Sequence, residues 1–81
     1  PEKAKTEDER FNSARKAASE DSKVAELREK ADASKNDDSA AKAMRAYLRT
    51  LYGKMRSLEP SLEERINLTE AAALRAISKQ E

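Results

Sequence analysis

The sequence predicts an all-α fold, and three observations lead to that prediction. Charged residues make up 41% of the 81 residues, whereas glycine occurs once and proline twice. A composition dominated by Ala, Glu, Lys, Leu and Arg is typical of long helices and coiled coils. Large apolar residues recur every three or four positions along residues 40–58, the spacing of one helix face. No segment alternates apolar and polar residues as a strand does.

The clearest element is predicted helix 2, over residues 39–58. At about 100° per residue, its large apolar side chains fall within an arc of roughly 140°. This apolar arc consists of Met44, Tyr47, Leu48, Leu51, Tyr52, Met55 and Leu58. Asp37 or Asp38 is expected to cap the helix, because carboxylates stabilise a helix N-terminus. Gly53 lies roughly opposite the arc and should face solvent.

Predicted helix 1, over residues 10–34, is longer and only weakly amphipathic. One face carries Phe11, Ala14, Ala18 and Ala25, and an offset face carries Ala17, Val24, Leu27 and Ala31. The offset predicts either a break near residues 19–22 or two different neighbours for the two halves. Because few of these side chains are large, we expect helix 1 to contribute least to the core. The part before residue 20 is expected to pack weakly or not at all.

The N-terminal residues 1–9 are almost wholly charged, and we expect them to be disordered ahead of a single domain over residues 10–81. Thr6 and Glu9 nevertheless have the spacing of a capping box, which would begin a helix here. The chain starts at Pro1. This fits either removal of a secretory signal or trimming of the expressed chain.

Predicted helix 3 covers residues 61–79 and follows a break at Pro60. Glu59 caps it with Pro60 at the first position, or Ser61 caps it with Glu64 closing a capping box. The short link favours an antiparallel hairpin of helices 2 and 3. Leu68 and Leu74 lie on opposite flanks of helix 3, so at least one should meet helix 1 or a second subunit. We therefore expect a homodimer.

The residue types argue against catalysis. The chain has no His and no Cys, so it lacks the usual bases of nucleophilic catalysis and the usual ligands of transition metals. Asp32, Asp37 and Asp38 do not have the spacing of a calcium loop. Glu63 and Glu64 fit the first turn of a helix. We predict that the protein is not an enzyme and uses no metal or cofactor, and no apolar run approaches the ~20 residues of a membrane span.

Two surfaces are candidate partner sites. The apolar candidates are Met44, Tyr47, Leu51, Tyr52, Met55, Leu68 and Leu74. Met adapts to irregular surfaces and Tyr offers amphipathic contact area, although an arc of this kind is also the ordinary core of a helical bundle. The basic flank of helix 2 consists of Lys42, Arg45, Arg49 and Arg56. Its cations can be solvated, pair within the chain, or bind an acidic protein segment or, with less support, nucleic acid.

The stretch from Leu58 to Ile66 resembles a helix start, L-T-P-x-Q, of the Spy/CpxP group of periplasmic stress proteins. Leu58 and Pro60 match that motif, whereas Glu59 and Leu62 replace its Thr and Gln. The resemblance implies an all-helical, often dimeric periplasmic protein that holds unfolded clients or senses envelope stress. The stretch 24–77 is also similar to small, signal-bearing helical proteins of verrucomicrobial-type bacteria, and this likeness implies no mechanism.

These observations favour a non-catalytic helical binding or scaffold protein. We expect it to bind apolar protein segments in a chaperone-like manner, and to be periplasmic or secreted in preference to cytoplasmic. The alternative is a structural subunit of a larger protein assembly. A nucleic acid binder that uses the basic flank is the third hypothesis.

Overall fold

The computed structural model of the protein describes residues 6–79, apart from the side chains of residues 37, 78 and 79. The described residues form four helices and no strand, which confirms the all-α prediction. The helices are α1 (Glu7–Ser19), α2 (Ser22–Ala33), α3 (Asp37–Leu58) and α4 (Glu63–Lys79), with a 3₁₀ turn at Pro60–Leu62. The prediction of three helices is wrong, because predicted helix 1 is two helices.

The break in predicted helix 1 is made by Asp21. Its carboxylate accepts hydrogen bonds from the backbone N–H groups of Lys23 (3.0 Å) and Val24 (3.3 Å), and so caps the start of α2. The offset faces predicted either a break near residues 19–22 or two different neighbours for one helix. The structure has the break. The new helix direction allows α1 and α2 to pack on different parts of α3.

Helix α1 begins three residues earlier than predicted, and the capping box is the reason. The backbone N–H of Glu9 donates to Oγ1 of Thr6 (3.1 Å), and the backbone N–H of Thr6 donates to Oε1 of Glu9 (3.4 Å). Two of the orphan donors at the helix start are thereby satisfied. The predicted disorder of residues 1–9 therefore does not extend to residues 6–9, and residues 1–5 lie outside the described part of the chain.

Asn36, and not Asp37 or Asp38, caps α3. Its Oδ1 accepts a hydrogen bond from the backbone N–H of Ser39 at 2.8 Å. Asn and Asp are about equally good at this position, so local preference alone does not choose between neighbouring residues. The helix consequently starts two residues before its predicted beginning.

Helix α3 is the central element, and the other helices pack on it. The carboxylate of Asp21 lies 3.9 Å from Nζ of Lys54, while Arg28 further along α2 lies over the ring of Tyr47. Helix α2 therefore runs back along the N-terminal half of α3. Helix α1 lies at the other end, where Arg10 approaches Glu59 at 3.9 Å.

Helix α4 folds back along α3 after the turn at Pro60. Nη1 of Arg56 donates to Oδ1 of Asn67 (2.9 Å) and to Oε1 of Glu70 (3.0 Å). Pro60 occupies the first position of the 3₁₀ turn, as in the first of the two predicted starts, although no side chain caps it. The rest of α4 then extends towards the N-terminal half of α3.

The core includes residues from all four helices. Its members are Phe11, Ala14, Ala18, Val24, Tyr47, Leu51, Tyr52, Met55, Leu62 and Ile66. The expectation that the chain before residue 20 packs weakly is wrong. Ala18 is fully buried and Ala14 is 4% exposed, because small side chains allow α1 to approach α3 closely.

Gly53→Ala should raise the free energy of unfolding by about 1 kcal/mol, the cost of Gly relative to Ala within a helix. Gly53 has no left-handed conformation. An added Cβ would meet Nη2 of Arg56 at 3.9 Å, an ordinary contact, and nothing closer. Urea unfolding at 25 °C measures the change. Ala46→Gly, at an exposed position of α3, is the matched control and should lower stability by a similar amount. A loss of stability in Gly53→Ala would contradict the open surroundings of this residue.

Candidate protein-binding surface

Three residues in the C-terminal half of the apolar arc belong to the core, whereas Leu58 at its end does not. Leu51 is 2% exposed, Tyr52 is 4% exposed and Met55 is fully buried. Tyr47, at 9%, belongs to the same cluster. These four residues were predicted as partner-binding, and burial removes them from the surface. The physical reason is that α1, α2 and α4 all pack on α3, and Arg28 of α2 lies over the ring of Tyr47.

The N-terminal half of the arc is less well covered. Met44 and Leu48 are partly buried and pack against the edge of the core. Helix α1 lies at the other end of α3, so among the described helices only α2 and α4 are placed to cover this half. The Cα atoms span 15 Å in the shortest dimension of the molecule, the thickness of two helices packed with their axes about 8–10 Å apart. A fold this thin leaves apolar surface uncovered.

Two further partly buried residues, from the helices beside α3, also pack against the core. Leu27 belongs to α2 and Ala73 to α4. Ala73 lies about one turn beyond Glu70, which bonds to Arg56, and is therefore nearer the N-terminal half of α3. We call the four residues Leu27, Met44, Leu48 and Ala73 the apolar edge. Of the predicted apolar candidates, only Met44 belongs to it.

The remaining predicted apolar residues lie on α4. Leu68 is 68% exposed, whereas Leu74 is partly buried. Leu58, at the end of α3, is 43% exposed. It borders a shallow depression of about 340 Å³ lined by Arg10, Ser13, Ala14, Ala17, Leu58 and Glu59. Nε of Arg10 is buried without a hydrogen-bond partner among the described residues.

The basic flank is not a continuous row of free cations. Arg56 is held by Asn67 and Glu70 of α4, and Arg45 also has an interaction partner. Lys42 and Arg49 are exposed. The sequence left open whether these cations pair within the chain, and Arg56 does so with Glu70. The charge offered to a partner is correspondingly smaller than the four residues suggest.

A cation–aromatic contact joins α2 to α3, and the sequence alone did not indicate it. Nη1 of Arg28 donates to the hydroxyl of Tyr47 (3.4 Å), and its guanidinium carbon lies 5.5 Å from the ring centroid. The hydrogen bond to Tyr47 raises the pKa of Arg28 above its ordinary value, with a further contribution from Asp32. The hydrogen bond from Arg28 also satisfies the polar end of the buried Tyr47.

A second such contact fastens α1 to α4. The guanidinium carbon of Arg65 lies 4.5 Å from the ring centroid of Phe11. Nη1 of Arg65 donates to Oδ1 of Asp8 (2.7 Å) and to Oε2 of Glu7 (3.5 Å). The sequence contains two signals for this contact, the acidic first turn of α1 and the aromatic residue that follows it. What they could not indicate is that the partner lies more than fifty residues away.

The described residues include no group of three or more acidic residues placed to hold a metal ion. None of the described helices is both long and apolar enough to cross a membrane. Most of the described ion pairs connect helices, whereas the pair of Arg28 and Asp32 lies within α2.

The chain matches no protein-family model, no curated protein and no solved structure. The resemblance to the Spy/CpxP group therefore stays a prediction, based on Leu58 and Pro60.

Proposed function

We propose that the protein is a non-catalytic helical binding protein that holds an apolar segment of another protein at the apolar edge. One observation supports this most directly: the arc of α3 is sealed at Met55 but remains partly open at Met44 and Leu48. Their spacing of four residues presents two flexible or branched apolar side chains on one helix face. Such a surface suits an amphipathic helix or an extended apolar segment.

The exposed cations of α3 suggest the composition of that segment. Lys42 and Arg49 lie on the same helix as Met44 and Leu48 of the apolar edge, and both are exposed. Acidic residues beside the apolar ones of a ligand would therefore help to orient it and would raise its association rate. Met44 adds tolerance for different ligand shapes, because its side chain is unbranched and polarizable. We favour a chaperone-like form of this function, in a periplasmic or secreted protein.

Suppression of aggregation tests the proposal. Light scattering follows the aggregation of dithiothreitol-reduced insulin, a probe that suits a chain without cysteine. The parent protein should suppress scattering. Met44→Gln/Leu48→Gln should raise the concentration needed for half-suppression at least fivefold, because Gln keeps helix propensity while removing apolar contact area.

Ala46→Gln/Ser57→Gln is the matched control, since both positions are exposed on the same helix. It should leave suppression unchanged, and circular dichroism should show equal helicity in all three proteins. Absence of suppression by the parent would contradict the chaperone-like function. An equal loss in the control would show that the apolar edge is not the binding surface.

A further inference from the structure

The outer face of α4, opposite its buried face, carries a regular stripe of exposed residues. The stripe consists of Glu64, Leu68, Ala71 and Arg75, at intervals of four, three and four positions. All four are exposed, and Leu68 at 68% is one of the two exposed large apolar residues in the described part of the chain. Intervals of three and four keep side chains on one helix face. The stripe is therefore a ridge directed away from α3.

The stripe is complementary to itself when its direction is reversed. Its midpoint falls between Thr69 and Glu70, so two antiparallel copies would place each Leu68 opposite Ala71 of the second copy. The same register places each Glu64 opposite Arg75 of the second copy. Neither charge has an ion-pair or hydrogen-bond partner among the described residues. A two-fold axis through this midpoint would therefore satisfy both charges and cover both leucines.

We propose that the outer face of α4 is a homodimer interface in which two α4 helices pack antiparallel. A surface that meets itself across a two-fold axis must be self-complementary. This stripe is self-complementary both in the size of its side chains and in their charge. Small Ala opposite large Leu allows the two backbones to approach. The apolar contact supplies the affinity, whereas the exposed ion pairs mainly set the direction of pairing. Parallel pairing would instead oppose like charges at both ends of the stripe.

This dimer goes beyond the proposed function and uses a different surface. The stripe lies on the side of α4 that faces away from the buried Leu62 and Ile66, whereas the apolar edge centres on α3. A dimer formed in this way leaves Met44 and Leu48 accessible. The contact is short, so we expect a reversible dimer with a dissociation constant in the micromolar range.

Sedimentation equilibrium of the purified full chain tests the interface. The parent should dimerise reversibly. Glu64→Arg and Arg75→Glu should each raise the dissociation constant at least tenfold, because each replaces two attractive pairs by two repulsive ones. An equimolar mixture of the two variants should restore dimerisation as a heterodimer, since every pair across the axis is then again opposite in charge.

Leu68→Gln should weaken the dimer as well, by removing the apolar contact. Glu29→Arg, the same charge change at an exposed position of α2, is the control and should leave the dimer intact. A parent that stays monomeric at about 1 mM would overturn the proposal, as would single variants that dimerise like the parent or a mixture that stays monomeric. Circular dichroism of each variant shows whether it is folded. Stripe-dependent dimers in a chain that fails to suppress aggregation would contradict the proposed function alone.

Discussion

Met55→Ala should lower the free energy of unfolding by about 2–5 kcal/mol, the range for truncating a buried methionine. Met55 is fully buried in the core, to which all four helices contribute residues. Its removal leaves a cavity that neighbouring helices cannot fill without losing contacts elsewhere. A domain of this size has a total stability on the order of 5–10 kcal/mol. We therefore expect a large fall in the midpoint of urea unfolding.

Met44→Ala is the matched control for this effect. Met44 lies on the same helix face but is only partly buried, so its truncation should cost clearly less. The difference between the two variants measures how well each half of α3 is covered. Equal losses of stability in Met55→Ala and Met44→Ala would indicate that both halves of α3 are equally buried. That result would also contradict the accessibility of the apolar edge.

Phe11→Ala should lower the free energy of unfolding by about 3–5 kcal/mol. It should also weaken the packing of α1 on the rest of the molecule. Phe11 is 5% exposed, and its ring lies beneath the guanidinium of Arg65. The other buried residues of α1 are Ala14 and Ala18, whose small side chains contribute little apolar area. Loss of the phenyl ring therefore removes most of the apolar contact that holds this helix. Urea unfolding measures the loss, and amide hydrogen exchange should show protection falling more in α1 than in α4.

Phe11→Leu separates burial from the contact with Arg65. Leucine keeps most of the apolar volume, so we expect the free energy of unfolding to fall by only about 1–2 kcal/mol. Part of that loss is the missing cation–π contact. Unchanged stability and unchanged exchange in Phe11→Ala would mean that α1 packs as weakly as its composition had predicted.

The correct predictions are those that depend on local interactions. Helical structure, the break at Pro60 and the capping box at Thr6 follow from backbone preferences and hydrogen bonds within a few residues. The spacing of the apolar arc likewise identified the face of α3 that the protein buries. The break at Asp21 was predicted only as one of two alternatives, because an offset between two apolar faces fits either a break or two different neighbours.

The tertiary structure alone decided which apolar residues are core and which remain accessible. Tyr47, Leu51, Tyr52 and Met55 are indistinguishable in sequence pattern from Met44, and they differ in burial because the other helices cover α3 unevenly along its length. Alanine gives a weak sequence signal, since its burial depends on how closely another helix approaches. The partners of Arg65 and Arg56 likewise depend on how the chain folds back. By itself the sequence determined the helices and their apolar faces. The packing of α1 and α4 decided which parts of those faces remain available to other molecules, because burial is a property of neighbours in space.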